Sequence, residues 1–210
     1  IIGAPEFVLK DNFTDYSDTI KQYSENYRVI AIAKSPNNFI DKQLPNEVTL
    51  IGFVLIVDKI RKEANQTLNY FAEQGVDIKI ISGDNPITVS KIAKAVGVIN
   101  YDNYIDMSTL KTDEEIEKVV TKYTIFGRVT PTQKKALVLA LQKNGKTVAM
   151  TGDGVNDVLA LKTADCSIAM ASGSDATKNV SQLVLLDSNF ASMPKVVAEG
   201  RRTINNLERS

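Results

Sequence analysis

From Glu47 onward, short β-branched apolar runs alternate with stretches of helical period, and this alternation leaves few architectures open. The runs are Thr49 to Val57, Val76 to Ile81, Thr124 to Val129, Thr147 to Met150, Ser167 to Met170 and Leu183 to Leu186. Helical periods fall between them at Ile60 to Gln74, Ile87 to Val96, Glu114 to Tyr123, Thr132 to Lys143, Val155 to Ala164 and Asp175 to Gln182. A last helix is expected from about Ala191 onward. Runs that are apolar at every position predict strands buried on both faces. Strand–helix alternation then predicts a three-layer α/β fold, a Rossmann-like parallel sheet covered by helices. Residues 1 to 46 read differently: a Gly3-Ala4-Pro5-Glu6 turn, polar helical sequence, the apolar run Tyr27 to Ala33, and a Pro/Asn-rich stretch from Ser35 to Asn46. They are expected to be the tail of another domain and a linker, with the α/β domain spanning 47–210.

Composition narrows the chemistry. Histidine is absent, which removes histidine-based triads and most transition-metal sites. Cys166 is the single cysteine, so no intrachain disulfide can form. Lys plus Arg equals Asp plus Glu at 25 each, so no bulk field draws the chain to nucleic acid. The longest apolar stretch, Leu50 to Val57, is far shorter than the roughly 20 residues of a membrane-spanning helix. Catalysis here must rest on carboxylates, lysines, backbone amides and a hard metal ion.

Three strand-end loops carry those groups. Thr151-Gly152-Asp153-Gly154-Val155-Asn156-Asp157 follows one strand and opens a helix. In open α/β sheets ligands bind beyond the carboxyl ends of strands, and Asp153, Asn156 and Asp157 offer hard oxygen and amide groups for Mg²⁺ and phosphoryl oxygens. A capped polar turn would need fewer acceptors. Ser82-Gly83-Asp84 is a second strand end, where a hydroxyl and a glycine amide suit a phosphoryl oxygen. Taken alone it reads equally as a turn with Asp84 or Asn85 capping the next helix. The third, Arg128 to Lys134, puts Thr130 at a helix cap, Pro131 near the helix start and Lys134 in the first turn. A cation there opposes the helix dipole and suggests a nearby anion; taken alone, Lys134 reads as a solvated surface residue.

Together the loops give the layout of a haloacid-dehalogenase-type phosphoryl-transfer site. The chain resembles, over essentially its whole length, the cytosolic part of the P-type cation-transporting ATPases, in particular bacterial calcium-pump-like members. Thr151 to Asp157 matches that family's signature loop, and Asp165 to Ala171 with Gly173-Ser174-Asp175-Ala176 matches the family's next segment. Ser82-Gly83-Asp84 is similar to its T-G-D motif, and Phe126 to Lys134 to the segment that supplies an arginine and a lysine. Gly3-Ala4-Pro5-Glu6 resembles the K-G-A-P-E turn, with Ile2 in place of lysine, and Asp58-Lys59-Ile60-Arg61 resembles the D-P-P-R hinge.

The resemblance implies an ATP-dependent, Mg²⁺-requiring pump embedded in the cell membrane, with this segment on the cytoplasmic side. Asp153 would ligate Mg²⁺ with Asp157 supporting the metal site. Lys134 would neutralise the transferring group, while Asn156, Ser82 and Gly83, with Asp84 completing the motif, would position its oxygens. Arg28, Asp58, Arg61 and Arg128 would hold the nucleotide. The transported cation, calcium by similarity, would be selected by membrane helices lying outside this chain, and the remaining domains of the pump would be partners.

The family's phosphorylated aspartate lies in D-K-T-G-T, and no such pentapeptide occurs here. Only Asp41-Lys42 and Asp58-Lys59 pair the two residues. Asp58 follows an apolar run as a nucleophile would, but Arg61 completes the hinge pattern, so the isolated chain is expected to be inactive. The alternatives are a soluble phosphatase using Asp58 and a non-catalytic interaction module.

Overall fold

The computed structural model describes residues 1–24, 27–37, 44–45, 47–57 and 60–209. The chain divides into two compact units, Ile1–Lys59 and Ile60–Ser210.

In the first unit, strands β1 (Ile2–Gly3), β2 (Arg28–Lys34) and β3 (Thr49–Ile56) form an antiparallel sheet in the order β1-β2-β3. Pro5, at a first helical position where no N–H is needed, opens α1 (Pro5–Leu9), and α2 (Phe13–Ser24) follows. Strand β2 alternates, and Ala31 and Ala33 pack with Val8, Leu9 and Ile20 into this unit's core, against Leu50 and Phe53 of β3. The register runs from Arg28↔Ile56 to Lys34↔Thr49, with a bulge at Ile32/Ala33.

This corrects the expected boundary. The division falls after Lys59, not after Asn46, because Thr49 to Ile56 pairs with β2 instead of joining the parallel sheet. Nor is the strand buried on both faces: Ile51 is 65% and Val57 64% exposed. An apolar run states that a strand wants cover; it does not state which strand it will pair with.

The second unit holds two three-stranded sheets, every pair parallel. One, in the order β4-β6-β5, contains β4 (Ile80–Ile81), β5 (Tyr104–Asp106) and β6 (Ile125–Gly127). The other, β7-β8-β9, contains β7 (Ala149–Gly152), β8 (Cys166–Met170) and β9 (Leu183–Leu185). The helices are α3 (Ala64–Glu73), α4 (Pro86–Ala95), α5 (Asp113–Val119), α6 (Pro131–Lys143), α7 (Val158–Thr163), α8 (Asp175–Val180) and α9 (Met193–Glu208). Among the described residues none is long and apolar enough to cross a membrane.

Side-chain alternation along the strands sorts the helices into layers. Ile125 packs with Leu68 of α3 and Val89 of α4, while its neighbour Phe126 packs with Ile116 of α5 and Leu137 of α6. In the other half-sheet Ile168 meets Phe71 of α3 and Met193 of α9, whereas Met150, whose register partner is Ser167, meets Val138 of α6 and Leu161 of α7. Helices α3 and α6 therefore cover both half-sheets from opposite sides. The three-layer α/β architecture holds, but the expected single sheet is two halves, with β4 and β7 each at an edge. The short strand β5 has no counterpart among the expected elements. The helix expected from Val155 begins instead as a 3₁₀ turn over Val155–Asp157.

Candidate active site

The loops after β4, β6 and β7 all emerge at carboxyl ends of parallel strands. After β4, the Ser82 hydroxyl accepts from the Asp84 N–H at 3.1 Å, and Asn85, not Asp84, caps α4 through the N–H of Ile87. The loop is bonded to the segment beyond β6: Arg128 N–H donates to the Asp84 carbonyl at 2.8 Å and Val129 N–H to that of Ser82 at 3.0 Å. Gly127 has to be glycine, since an added Cβ would lie 2.6 Å from Pro86.

Helix α6 starts as its sequence announces. Thr130 and Gln133 form a reciprocal capping box around Pro131 at the first position. One turn on, Lys134 Nζ donates to Asp157 Oδ1 at 2.6 Å, with the two side chains 12% and 11% exposed. Lys134 is thus no solvated surface residue. The other oxygen, Asp157 Oδ2, accepts from the backbone N–H groups of Gly154 at 3.1 Å and Asp153 at 3.3 Å. With Asp157 bent over the loop, a Cβ on Gly152 would lie 2.6 Å from the Cβ of Asp157.

Asp153 is held from a second side. Its carbonyl accepts from Ser174 N–H at 2.8 Å, and Gly173 passes so close that an added Cβ would lie 2.7 Å from that carbonyl oxygen. Its backbone is clamped, yet its carboxylate is exposed and has no hydrogen-bond or ion-pair partner among the described residues. A fixed main chain carrying a free carboxylate suits a ligand rather than a fold.

Both Asp157 oxygens are engaged, Oδ1 by Lys134 and Oδ2 by the loop amides, while Asp153 presents a carboxylate without a partner among the described residues. Among the described residues no group of three acidic, cysteine or histidine side chains converges. That donor set fits Mg²⁺, which is typically held by one or two carboxylates with water and phosphate oxygens completing its shell. Asn156 is exposed, with no side-chain partner among the described residues. Ser82 and Gly83 line the neighbouring loop but make no hydrogen bond to Lys134 or Asp153.

The expected nucleotide residues belong to both units. Arg28 begins β2 in the first unit and Arg61 is exposed near the start of the second. Asp58, and the pair Asp41-Lys42, lie outside the described residues. The strand before Asp58 is antiparallel and in the first unit, unlike a strand that delivers a nucleophile to a parallel-sheet edge. Arg128 has a positive φ of 52°, and its Nη1 donates to Asp106 Oδ2 at 2.9 Å. Asp106, at the end of β5, was not among the expected residues, nor was the Gly173–Ser174 clamp given a role. Asp106-Met107-Ser108 is an Asx-type turn in the sequence, a signal for a cap but not for the arginine it meets.

A buried lysine–aspartate pair, a clamped loop with one free carboxylate and parallel strands ending beneath them define an α/β domain suited to handling phosphoryl groups. The chain belongs to the haloacid dehalogenase-like hydrolase family, whose model matches residues 6–165. It is 45% identical over 210 residues, all of its length, to the calcium-transporting ATPase CtpE of Mycobacterium tuberculosis, and covers 26% of that protein. To the magnesium-transporting ATPase, P-type 1, of Salmonella typhimurium it is 32% identical over 191 residues, 88% of the chain and 21% of the relative. The fold also matches the crystal structure of a zinc-transporting PIB-type ATPase, with a TM-score of 0.63 at 20% identity, over 93% of this chain and 26% of that one. The chain thus spans about a quarter of the length of the curated relatives it matches.

Proposed function

We propose that the chain is the cytosolic catalytic segment of an ATP-driven cation pump of the P-type, in which ATP phosphorylates an aspartate carried by a segment outside this chain. The observation that carries the reading is the buried Lys134–Asp157 pair fixing the loop that presents Asp153. Similarity to P-type cation-transporting ATPases over the whole chain supports it. The edge strands β4 and β7 each have a side without a strand partner among the described residues, where an acceptor-bearing strand would pair.

Bound Mg²⁺ would neutralise phosphoryl oxygens and orient the transferring group. Asp153, with its free carboxylate, would hold that ion. Lys134 has three donor hydrogens and gives one to Asp157, which leaves two for phosphoryl oxygens. Asn156 and the Ser82–Gly83 loop would position the same group, and Arg28, Arg61 and Arg128 the nucleotide. Catalysis would be positioning and electrostatic stabilisation. The full protein would sit in the cell membrane with this segment on the cytoplasmic face. Its cation is calcium by similarity to CtpE, but a magnesium-named relative is also similar, so the choice of ion lies outside this segment.

Lys134→Ala in the complete pump tests the reading. Single-turnover phosphorylation is expected to slow by about 10²–10³-fold, the usual cost of losing one transition-state partner. Lys134→Arg is expected to recover only part, because a planar guanidinium is not a compact ammonium. An unchanged phosphorylation rate would remove Lys134 from the site.

A further inference from the structure

Arg128 is held in a conformation that its own chemistry does not favour. Its φ of 52° lies in the left-handed region, where glycine or asparagine fits without strain and a long side chain does not. Bonds from its own N–H to Asp84 and from Val129 N–H to Ser82 keep it there. The side chain is then caught by Asp106, at 2.9 Å, with Arg128 51% and Asp106 28% exposed. Pairs this open contribute little to stability. A strained backbone and a weak ion pair together are hard to account for by folding alone.

Asp106 is itself fixed. Its Oδ1 accepts from Ser108 N–H at 3.0 Å and from the Ser108 hydroxyl at 2.6 Å, which leaves Oδ2 for Arg128. The Ser108 hydroxyl, more than the Arg128 guanidinium, holds the Asp106 carboxyl below the ordinary carboxylate value, so the anchor is an anion. In the order β4-β6-β5, Asp106 draws Arg128 toward the outer strand of its half-sheet and away from the Ser82 loop after β4. The other guanidinium nitrogens have no protein partner among the described residues and stay available to a ligand.

We infer that Asp106 is a positioning residue: it fixes the Arg128 guanidinium, already aimed by its left-handed backbone, so that the free donors face the nucleotide. This rests on the proposed reading of Arg128 as a nucleotide contact. Without the carboxylate the guanidinium swings among rotamers, and binding must order it again.

The test is steady-state ATP hydrolysis by the complete pump, with thermal unfolding of the same variants. Asp106→Asn keeps an oxygen for the Ser108 N–H, and asparagine caps as well as aspartate, but the charge facing Arg128 is gone. It is expected to raise KM for ATP by about fivefold, with a smaller fall in kcat and an unchanged melting temperature. Asp106→Glu, which restores the charge, is expected to recover part of the KM. Arg128→Gly removes the guanidinium and relieves the backbone; it is expected to raise KM at least as far with equal or higher stability. The double variant is expected to match Arg128→Gly. A normal KM in Asp106→Asn beside a raised KM in Arg128→Gly would overturn the positioning role. So would a further rise in the double variant, which would mean that Asp106 acts without Arg128. A normal KM in Arg128→Gly would instead overturn the nucleotide reading beneath it.

Discussion

Asp157 commits both of its oxygens to its own protein, one to Lys134 and one to two loop amides. Removing one member of a buried pair leaves an uncompensated charge and typically costs about 3–5 kcal/mol. Asp157→Ala is therefore expected to destabilise the chain by about that amount in a urea titration. The double variant Lys134→Met/Asp157→Leu should regain part of the loss, because apolar side chains of similar volume replace a buried pair well. Recovery stays incomplete, since the amides of Asp153 and Gly154 lose their acceptor. A single variant within about 0.5 kcal/mol of the parent would show the pair to be open to water. The sequence made the loop legible as a cluster of acceptors but not the lysine it meets. Asp153 and Asp157 look alike as letters; their surroundings diverge because Lys134, far away in the chain, claims one of them.

Among the elements, what is local was legible and what depends on a distant partner was not. The cap Thr130 and the first-turn Pro131 of α6 formed as read, and Gln133 completes a capping box with Thr130. Strand β5 is three residues long, ends in an aspartate and owes its pairing to β6, so no run of its own marks it. Strand β3 was visible as a strand but not as a partner of β2. The turn after β8 shows the same limit: Gly173 is required by a carbonyl twenty residues earlier in the chain, at Asp153. Gly173→Ala would push a methyl into backbone atoms that cannot swing aside, with an expected loss of about 1–3 kcal/mol. On the proposed reading of Asp153 as a Mg²⁺ ligand, the same change in the complete protein should raise the Mg²⁺ concentration needed for half-maximal phosphorylation, because Asp153 moves with its carbonyl. Unchanged stability and Mg²⁺ dependence would show the clamp to be slack.

At the scale of the whole second unit, four apolar clusters hold two half-sheets under common helices. The alternation of strands and helices was enough to give the layers, because burial periodicity is local. It was not enough to give the sheet's continuity, because pairing between β4 and β7 concerns edges, and edges leave no mark in hydropathy. One consequence concerns amide hydrogen exchange. In a continuous open sheet the middle strands are the slowest to exchange and protection falls toward the rims. Here the buried strands are β6, with Ile125 and Phe126, and β8, with Ile168 and Ala169. Strands β4 and β7 each have one side without a strand partner among the described residues. Deuterium uptake should therefore show two slow bands flanking a fast trough at Ile80–Ile81 and Ala149–Gly152. The part of the molecule nearest the Ser82 and Asp153 loops would be the first to wet.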